Sequence, residues 1–96
     1  MSKHNIKSLG DAINEFIHEN KLEEKIYEVK ILDEWKKIMG HNVSILTQSI
    51  TLKNGKLTVT LKSSVLRNEL QMGKQRVITI INSYLGQSVV RDIVFK

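Results

Sequence analysis

The chain has 96 residues, a formal net charge of +5 and no cysteine. This length fits one domain, and the lack of cysteine excludes disulfides, thiolate catalysis and cysteine-ligated zinc. No apolar run approaches the ~18–20 residues that a membrane span needs, and no signal-peptide core is present. We therefore expect a cytoplasmic protein that does not contact the membrane.

The charge is unevenly distributed along the chain. Residues 1–40 contain seven Lys or Arg and eight Asp or Glu, a balance of −1, whereas residues 41–96 contain eight and two, a balance of +6, and the two sum to +5. A near-neutral first part and a basic second part favour a polyanionic partner for the second part. The alternative is a small protein that carries a modest positive charge with no such partner.

The N-terminal part of the sequence predicts a flexible terminus followed by a helix. Residues 1–7 are polar and are expected to be flexible, and residues 8–96 are expected to form a single domain. Ser8 is the expected N-cap of the first helix. The apolar stripe of that helix follows the helical period at Leu9, Ile13, Phe16 and Ile17.

A second helix is predicted from Leu22 to Met39, because apolar residues recur there at steps of three and four. Trp35 lies on that apolar stripe and is the expected core anchor. Gly40 follows the last periodic residue and is expected to end the helix.

Two strands joined by a tight hairpin are predicted next, over residues 43–52 and 56–62. Asn54-Gly55 lies between them, and this dipeptide is the strongest short hairpin signal because a type I′ turn needs positive φ at both positions. Apolar and polar residues alternate in the second strand, which predicts one buried and one solvated face. The solvated face carries Lys56, Thr58, Thr60 and Lys62, and we expect Thr47, Ser49 and Thr51 beside it on the first strand.

The remainder of the sequence predicts one long helix and a last strand. The helix is expected from about Val65 to Leu85, with Ser63 or Ser64 as its N-cap and Gly86 after its end. Residues 89–96 are expected to form the third strand, whose buried face the imperfect alternation does not assign. The order α-α-β-β-α-β indicates an α+β fold with a three-stranded sheet, helices on one sheet face and the other face open.

The candidate functional residues are cations of the basic part. Lysines and hydroxyls on one strand face suit phosphate oxygens, and Arg67, Gln71 and Lys74 share one carboxylate-poor flank of the predicted long helix. The alternative is that these are the ordinary solvated faces of half-buried elements. The predicted nucleic-acid-binding residues are Lys53, Lys56, Lys62, Arg67 and Lys74.

Catalysis is not expected. The three histidines show no metal-ligand spacing, and neighbouring carboxylates such as Glu23-Glu24 and Asp33-Glu34 point about 100° apart on a helix. They are expected to be solvated and not to converge on a site. We therefore expect no cofactor, no metal and no small-molecule substrate.

Several motifs in a fixed order resemble the DciA-like family of bacterial proteins. They are LDEWKKIMG, LKNGKLTVTLKSSVLRNEL, INSYLG and VVRDIVFK, which lie between Leu32 and Lys96. The resemblance covers nearly the whole chain, from about Ser8. The family's pattern falls on Trp35, Gly40, Gly55, Leu57, Ser63, Ser64, Leu70, Ile93 and Phe95. The resemblance implies a fold similar to a K-homology (KH) domain, affinity for DNA, and a role as an operator or loader of the replicative helicase. The expected partners are therefore the replicative helicase and DNA, single-stranded or forked.

Two features depart from the implied pattern. A nucleic-acid-binding KH domain has a Gly-x-x-Gly loop, whereas Gly73 is followed three residues later by Arg76. Longer family members continue into a tail implicated in helicase contact, and this sequence ends at Lys96. Two alternatives to DNA binding remain open: a protein-interaction adapter that uses residues 8–39, and an RNA-binding KH-like module.

Overall fold

A computed structural model describes residues 8–12 and 22–96. Residues 9–12 are helical, and the Ser8 hydroxyl accepts a hydrogen bond from the Asp11 amide at 3.1 Å, as expected of the N-cap. The other predicted residues of that first stripe (Ile13, Phe16 and Ile17) and residues 1–7 lie outside the described residues. The elements that follow are α1 (Leu22–Met39), α2 (His41–Ile45), β1 (Thr47–Lys53), β2 (Lys56–Leu61), α3 (Ser64–Met72), α4 (Lys74–Leu85) and β3 (Asp92–Phe95).

The three strands form one mixed sheet in the order β1-β2-β3. β1 and β2 are antiparallel and joined by Asn54-Gly55, whose φ angles of 53° and 78° are those a type I′ turn requires. β3 returns after the helices and pairs in parallel with β2. The predicted α+β class, element order and hairpin are confirmed, whereas the similarity to a KH domain stays a prediction.

One face of the sheet is buried under the helices and the other is exposed, as predicted. The strands bury Ile50, Leu52, Leu57, Val59, Leu61, Ile93 and Phe95 against residues of α1 and α4, including Ile31 and Ile81. Alternation then places the remaining strand side chains on the reverse side. The structure also settles the orientation of β3, which buries Ile93 and Phe95.

The second predicted helix is confirmed, since α1 runs from Leu22 to Met39. Trp35 is 4% exposed and is part of the core, which excludes a base-stacking role for its ring. Its Nε1 donates to the Thr47 hydroxyl at 2.9 Å, and this hydroxyl donates to the carbonyl of Val43 at 2.6 Å. These two bonds fix the start of β1 against α1.

The predicted first strand, residues 43–52, is wrong at its N-terminal end. Residues His41–Ile45 form the short helix α2, and the strand begins at Thr47. The carbonyl of Val43 accepts hydrogen bonds from both the Leu46 amide and the Thr47 hydroxyl. The helical turn thus satisfies this backbone carbonyl locally, whereas in a strand it would need a partner on an adjacent strand. Tertiary contact with Trp35 thus overrides the β propensity of this segment.

The prediction of one continuous third helix is also wrong. The chain leaves helical geometry at Gly73, which has φ −104° and ψ 23° and separates α3 from α4. Its amide bonds to the carbonyls of Glu69 and Leu70, which closes α3. Glycine costs ~1 kcal/mol in a helix interior, and here it marks a helix end and not a close approach inside one helix. Ser63 is the N-cap of α3, since its hydroxyl accepts the Leu66 amide at 3.2 Å.

Within the described part of the chain, no helix is both long enough and apolar enough to cross a membrane.

Candidate nucleic-acid interface

The exposed side of the sheet presents hydroxyls between lysines. We call it the open face and define it by Ser49, Thr51 and Lys53 of β1, Lys56, Thr58 and Thr60 of β2, and Asp92 and Val94 of β3. The register pairs Thr51 with Thr58 and Ser49 with Thr60 across the two antiparallel strands. Four hydroxyls therefore lie side by side at the centre of the hairpin surface.

Lysines lie at both ends of the open face. Lys53 and Lys56 are paired with each other at the hairpin end and are both exposed. Lys62 is exposed and follows β2 at the other end, where its amide bonds to the carbonyl of Leu46. At about 3.3 Å per residue, the six residues from Lys56 to Lys62 separate the two cationic ends by about 20 Å.

Lys96 adds a cation that the sequence-based prediction missed. Its amide donates to the carbonyl of Val59 at 2.9 Å, and its carbonyl accepts the Leu61 amide at 2.7 Å, so it lies opposite Thr60. Strand alternation from the buried Phe95 directs Lys96 to the open face beside Lys62. Only the pairing of β3 with β2, which the sequence did not reveal, brings this residue to the site.

Lys74 is placed near the hairpin end of β3 and is ion-paired. Its Nζ lies 3.0 Å from the Asp92 carboxylate, and Asp92 is the register partner of Lys56. The hydrogen bond from Lys74 is the main reason that the pKa of Asp92 is lowered, with further contributions from the Ile93 amide and from the charge of Lys56. One carboxylate thus offsets part of the charge of two of the predicted site residues.

Arg67 lies in α3 and is half-buried. Its Nε is buried and has no hydrogen-bond partner among the described residues. An unpaired buried donor is unfavourable by about 1–3 kcal/mol. The predicted shared flank of Arg67, Gln71 and Lys74 does not exist as one helix surface, because Gly73 divides the two helices.

The carboxylates of α1 hold the hairpin and do not converge on a site. Glu28 Oε2 accepts the Leu52 amide at 2.9 Å, and Glu24 Oε2 accepts the Gly55 amide at 3.1 Å. The pKa of Glu28 is lowered, first by its hydrogen bond from Lys25 and next by the Leu52 amide. The expectation that Glu24 is merely solvated is therefore wrong, since this carboxylate is half-buried and caps the turn.

Two shallow depressions lie away from the open face. The larger, about 500 Å³, surrounds the end of α4 near Asn82 and Gly86, and the smaller, about 250 Å³, lies between α1 and the turn. Asn82 lines the larger depression, but its side-chain amide is already hydrogen-bonded to the backbone of Val89 and Val90. Within residues 8–12 and 22–96, no three His, Cys, Asp or Glu side chains are grouped in a way that could hold a metal ion.

The family model described as "Dna[CI] antecedent, DciA" matches residues 8–95, which is nearly the whole chain. A search of curated proteins found no match. The family match confirms the resemblance that the sequence motifs indicated.

Proposed function

The chain belongs to the DciA family, and from this premise we propose that it is a non-enzymatic DNA-binding accessory protein of bacterial replication. The family gives it a role related to loading of the replicative helicase, and this is not a known enzyme family. The proposed addition is direct contact with DNA phosphates through the basic C-terminal half. The observation that carries it is the open face, where hydroxyls lie between lysines.

The chemistry of the open face suits a phosphate backbone. Ammonium groups and hydroxyls donate hydrogen bonds to phosphate oxygens. The glutamates of α1 that hold the hairpin bond to its backbone amides, while the aspartate of the open face is paired with Lys74. A strand of nucleic acid on this face would meet Lys53 and Lys56 at one end and Lys62 with Lys96 at the other.

The same surface argues for binding without sequence preference. None of the eight residues that define the open face is aromatic, so bases have no ring to stack on. Lysine is a flexible point charge and reads phosphate position, not base identity. We propose that the contact with DNA is mostly electrostatic. Arg67 and Lys74 extend the binding surface from the sheet toward the helices, and Lys74 leaves its ion pair with Asp92 to bind a phosphate.

The test is a binding titration of the full chain with single-stranded and forked DNA across a series of salt concentrations. Each phosphate contact on single-stranded DNA contributes about −0.7 to the slope of log K against log salt. Replacing Lys53, Lys56 and Lys62 together by Gln should therefore make the slope shallower by about 2. The matched control replaces three lysines of α1 by Gln, namely Lys25, Lys36 and Lys37, and should leave the slope unchanged.

Two results would reject DNA contact through this face: absence of binding at low salt, or equal slopes for the two triple variants. The charge reversals Arg67→Glu and Lys74→Glu test the helical extension separately and should weaken binding further. A competition among single-stranded DNA, duplex DNA and structured RNA at fixed salt addresses the alternative of an RNA-binding module. If structured RNA is preferred, RNA and not DNA is the ligand of the open face.

The second candidate function is a protein-interaction adapter without nucleic-acid contact. It is favoured by the apolar side chains that α1 exposes, including Ile26 at 52% and Leu32 at 53%. Helicase binding that is insensitive to every charge change on the open face, together with no DNA affinity, would support this candidate over the first.

A further inference from the structure

The two cationic ends of the open face differ in one respect. Among the described residues, Lys62 and Lys96 form no ion pair. At the hairpin end, by contrast, the carboxylate of Asp92 lies 3.0 Å from Lys74 Nζ, and Lys56 is the register partner of Asp92 on β2. Asp92 is also the one acidic residue among the eight that define the open face. A single carboxylate therefore lies inside the proposed phosphate-binding surface.

The carboxylate of Asp92 is held by the kinds of donor that bind phosphate. Lys74 donates from Nζ, and the backbone amide of Ile93 donates to the same side chain. The positive charge of Lys56 adds to these two hydrogen bonds, and together they lower the pKa of Asp92. Ammonium groups and backbone N–H groups are also usual donors to the phosphate oxygens of DNA. The hairpin end thus contains an anion-binding arrangement that a side chain of the protein itself fills.

The ion pair between Lys74 and Asp92 is poorly suited to a purely structural role. The two side chains are 36% and 50% exposed, and pairs this accessible to water and salt contribute little to stability. The start of β3 is also held without the pair, because the amides of Arg91 and Asp92 both bond to the carbonyl of Gly55. The carboxylate can therefore be exchanged for another anion without loss of the strand.

The geometry points to a role for this residue in binding: we propose that the Asp92 carboxylate occupies the position of a DNA phosphate in the free protein and limits the affinity of the hairpin end. DNA has to displace the carboxylate from Lys74 before a phosphate can take its place. Phosphates already held by Lys62 and Lys96 make this exchange easier, because the next contact is then formed within one complex. Asp92 thus opposes the binding that the lysines around it promote.

This inference deepens the proposed function and rests on it, because it assumes DNA on the open face. It assigns to one residue of that face an effect opposite in sign to that of its neighbours. Removal of a lysine weakens DNA binding, whereas removal of the Asp92 charge should strengthen it. The sign of the change therefore separates this role from a contribution to folding, whose loss would not raise the affinity.

The experiment measures the affinity of the full chain for a single-stranded thymidine oligonucleotide at low salt, by fluorescence anisotropy. Asp92→Asn removes the charge and keeps the shape, and it should raise the affinity about five-fold, since the repulsion between two like charges about 4 Å apart in water corresponds to that factor. The matched control Asp33→Asn removes an exposed carboxylate from α1 and should change the affinity by less than about two-fold, because salt screens distant charges. Asp92→Glu keeps the charge and should bind as the unmodified chain does.

A double-mutant cycle tests whether the ion pair is broken when DNA binds. If Lys74 leaves Asp92, the variant Lys74→Gln should weaken binding about three-fold more in the Asp92→Asn background than in the unmodified chain, because only the unmodified chain has an ion pair to give up. Equal losses in the two backgrounds would mean that the pair persists in the complex, and this result would overturn the proposal.

The remaining outcomes are also decisive. An unchanged affinity for Asp92→Asn, or equal gains for Asp92→Asn and Asp33→Asn, would overturn the proposal while DNA binding by the open face stands. A lower affinity for Asp92→Asn together with a lower melting temperature would leave Asp92 with a structural role only. If no variant binds DNA at low salt, the proposed function fails and this inference fails with it.

Discussion

Gly55 lies in the hairpin turn, and the variant Gly55→Ala should destabilise the protein for two reasons: the backbone conformation of the turn and the close approach of Arg91. The Gly55 φ of 78° is left-handed, which is unfavourable for alanine by about 1–2 kcal/mol. A Cβ at this position would also lie 2.5 Å from Arg91 Nε. The flexible guanidinium can move away, but it then loses its 2.6 Å hydrogen bond to the Asn54 carbonyl, a further 0.5–1 kcal/mol or so. We expect a total loss of about 2 kcal/mol in the free energy of unfolding.

The matched control is Gly86→Ala. Gly86 has nearly the same φ, 74°, but among the described residues no atom beyond those of its two chain neighbours lies within 4 Å of the Cβ that alanine would add, so only the backbone strain remains. Urea denaturation followed by the fluorescence of Trp35, the single tryptophan, measures both variants. Gly55→Ala should be less stable than Gly86→Ala by about 0.5–1 kcal/mol.

The contact with Arg91 accounts for this difference, so the difference should disappear when both glycine variants are made in an Arg91→Ala background. A difference that persists without the Arg91 side chain would refute the reasoning. So would a Gly55→Ala variant that unfolds at the same urea concentration as the unmodified chain.

Two further predictions concern side chains that hold backbone groups. The carboxylate of Glu28 has a pKa below its ordinary value of 4.5, so the stability that it contributes is present above pH 4.5 and is lost as the pH falls through the lowered folded-state pKa. Glu28→Gln should therefore cost about 1 kcal/mol at pH 7 and much less at pH 3 in urea titrations, and an equal cost at both pH values would contradict the assignment. Asn82→Ala removes hydrogen bonds to the amides of Val89 and Val90 and to the Val90 carbonyl. The expected loss is about 3 kcal/mol by the same assay, whereas Asn68→Ala, on the exposed side of α3, should change stability by less than about 0.5 kcal/mol.

Elements with a local signal could be predicted from the sequence. The apolar period from Leu22 to Met39 gives α1 its observed bounds, and Asn54-Gly55 gives the hairpin because its backbone requirement is met by few residue types. Alternation in β2 also predicted which side chains share the open face. Each of these rests on neighbours within a few residues.

The rest depends on contacts between distant parts of the chain. The short helix before β1 forms where Trp35 meets Thr47, twelve residues away. The pairing of Lys74 with Asp92 and the position of Lys96 both follow from the parallel register of β3 with β2, which no local pattern specifies. The candidate site could therefore be predicted on the hairpin but not along β3.

The open face depends on α1, although that helix packs on the other side of the sheet. Glu28 of α1 accepts the Leu52 amide, and Trp35 of α1 donates to the Thr47 hydroxyl, so both contacts join the helix to β1. β1 also carries Thr51 and Lys53 of the open face. These two contacts therefore fix the strand whose hydroxyls and lysine face the proposed DNA, and the binding surface depends on a helix that lies on the opposite side of the sheet.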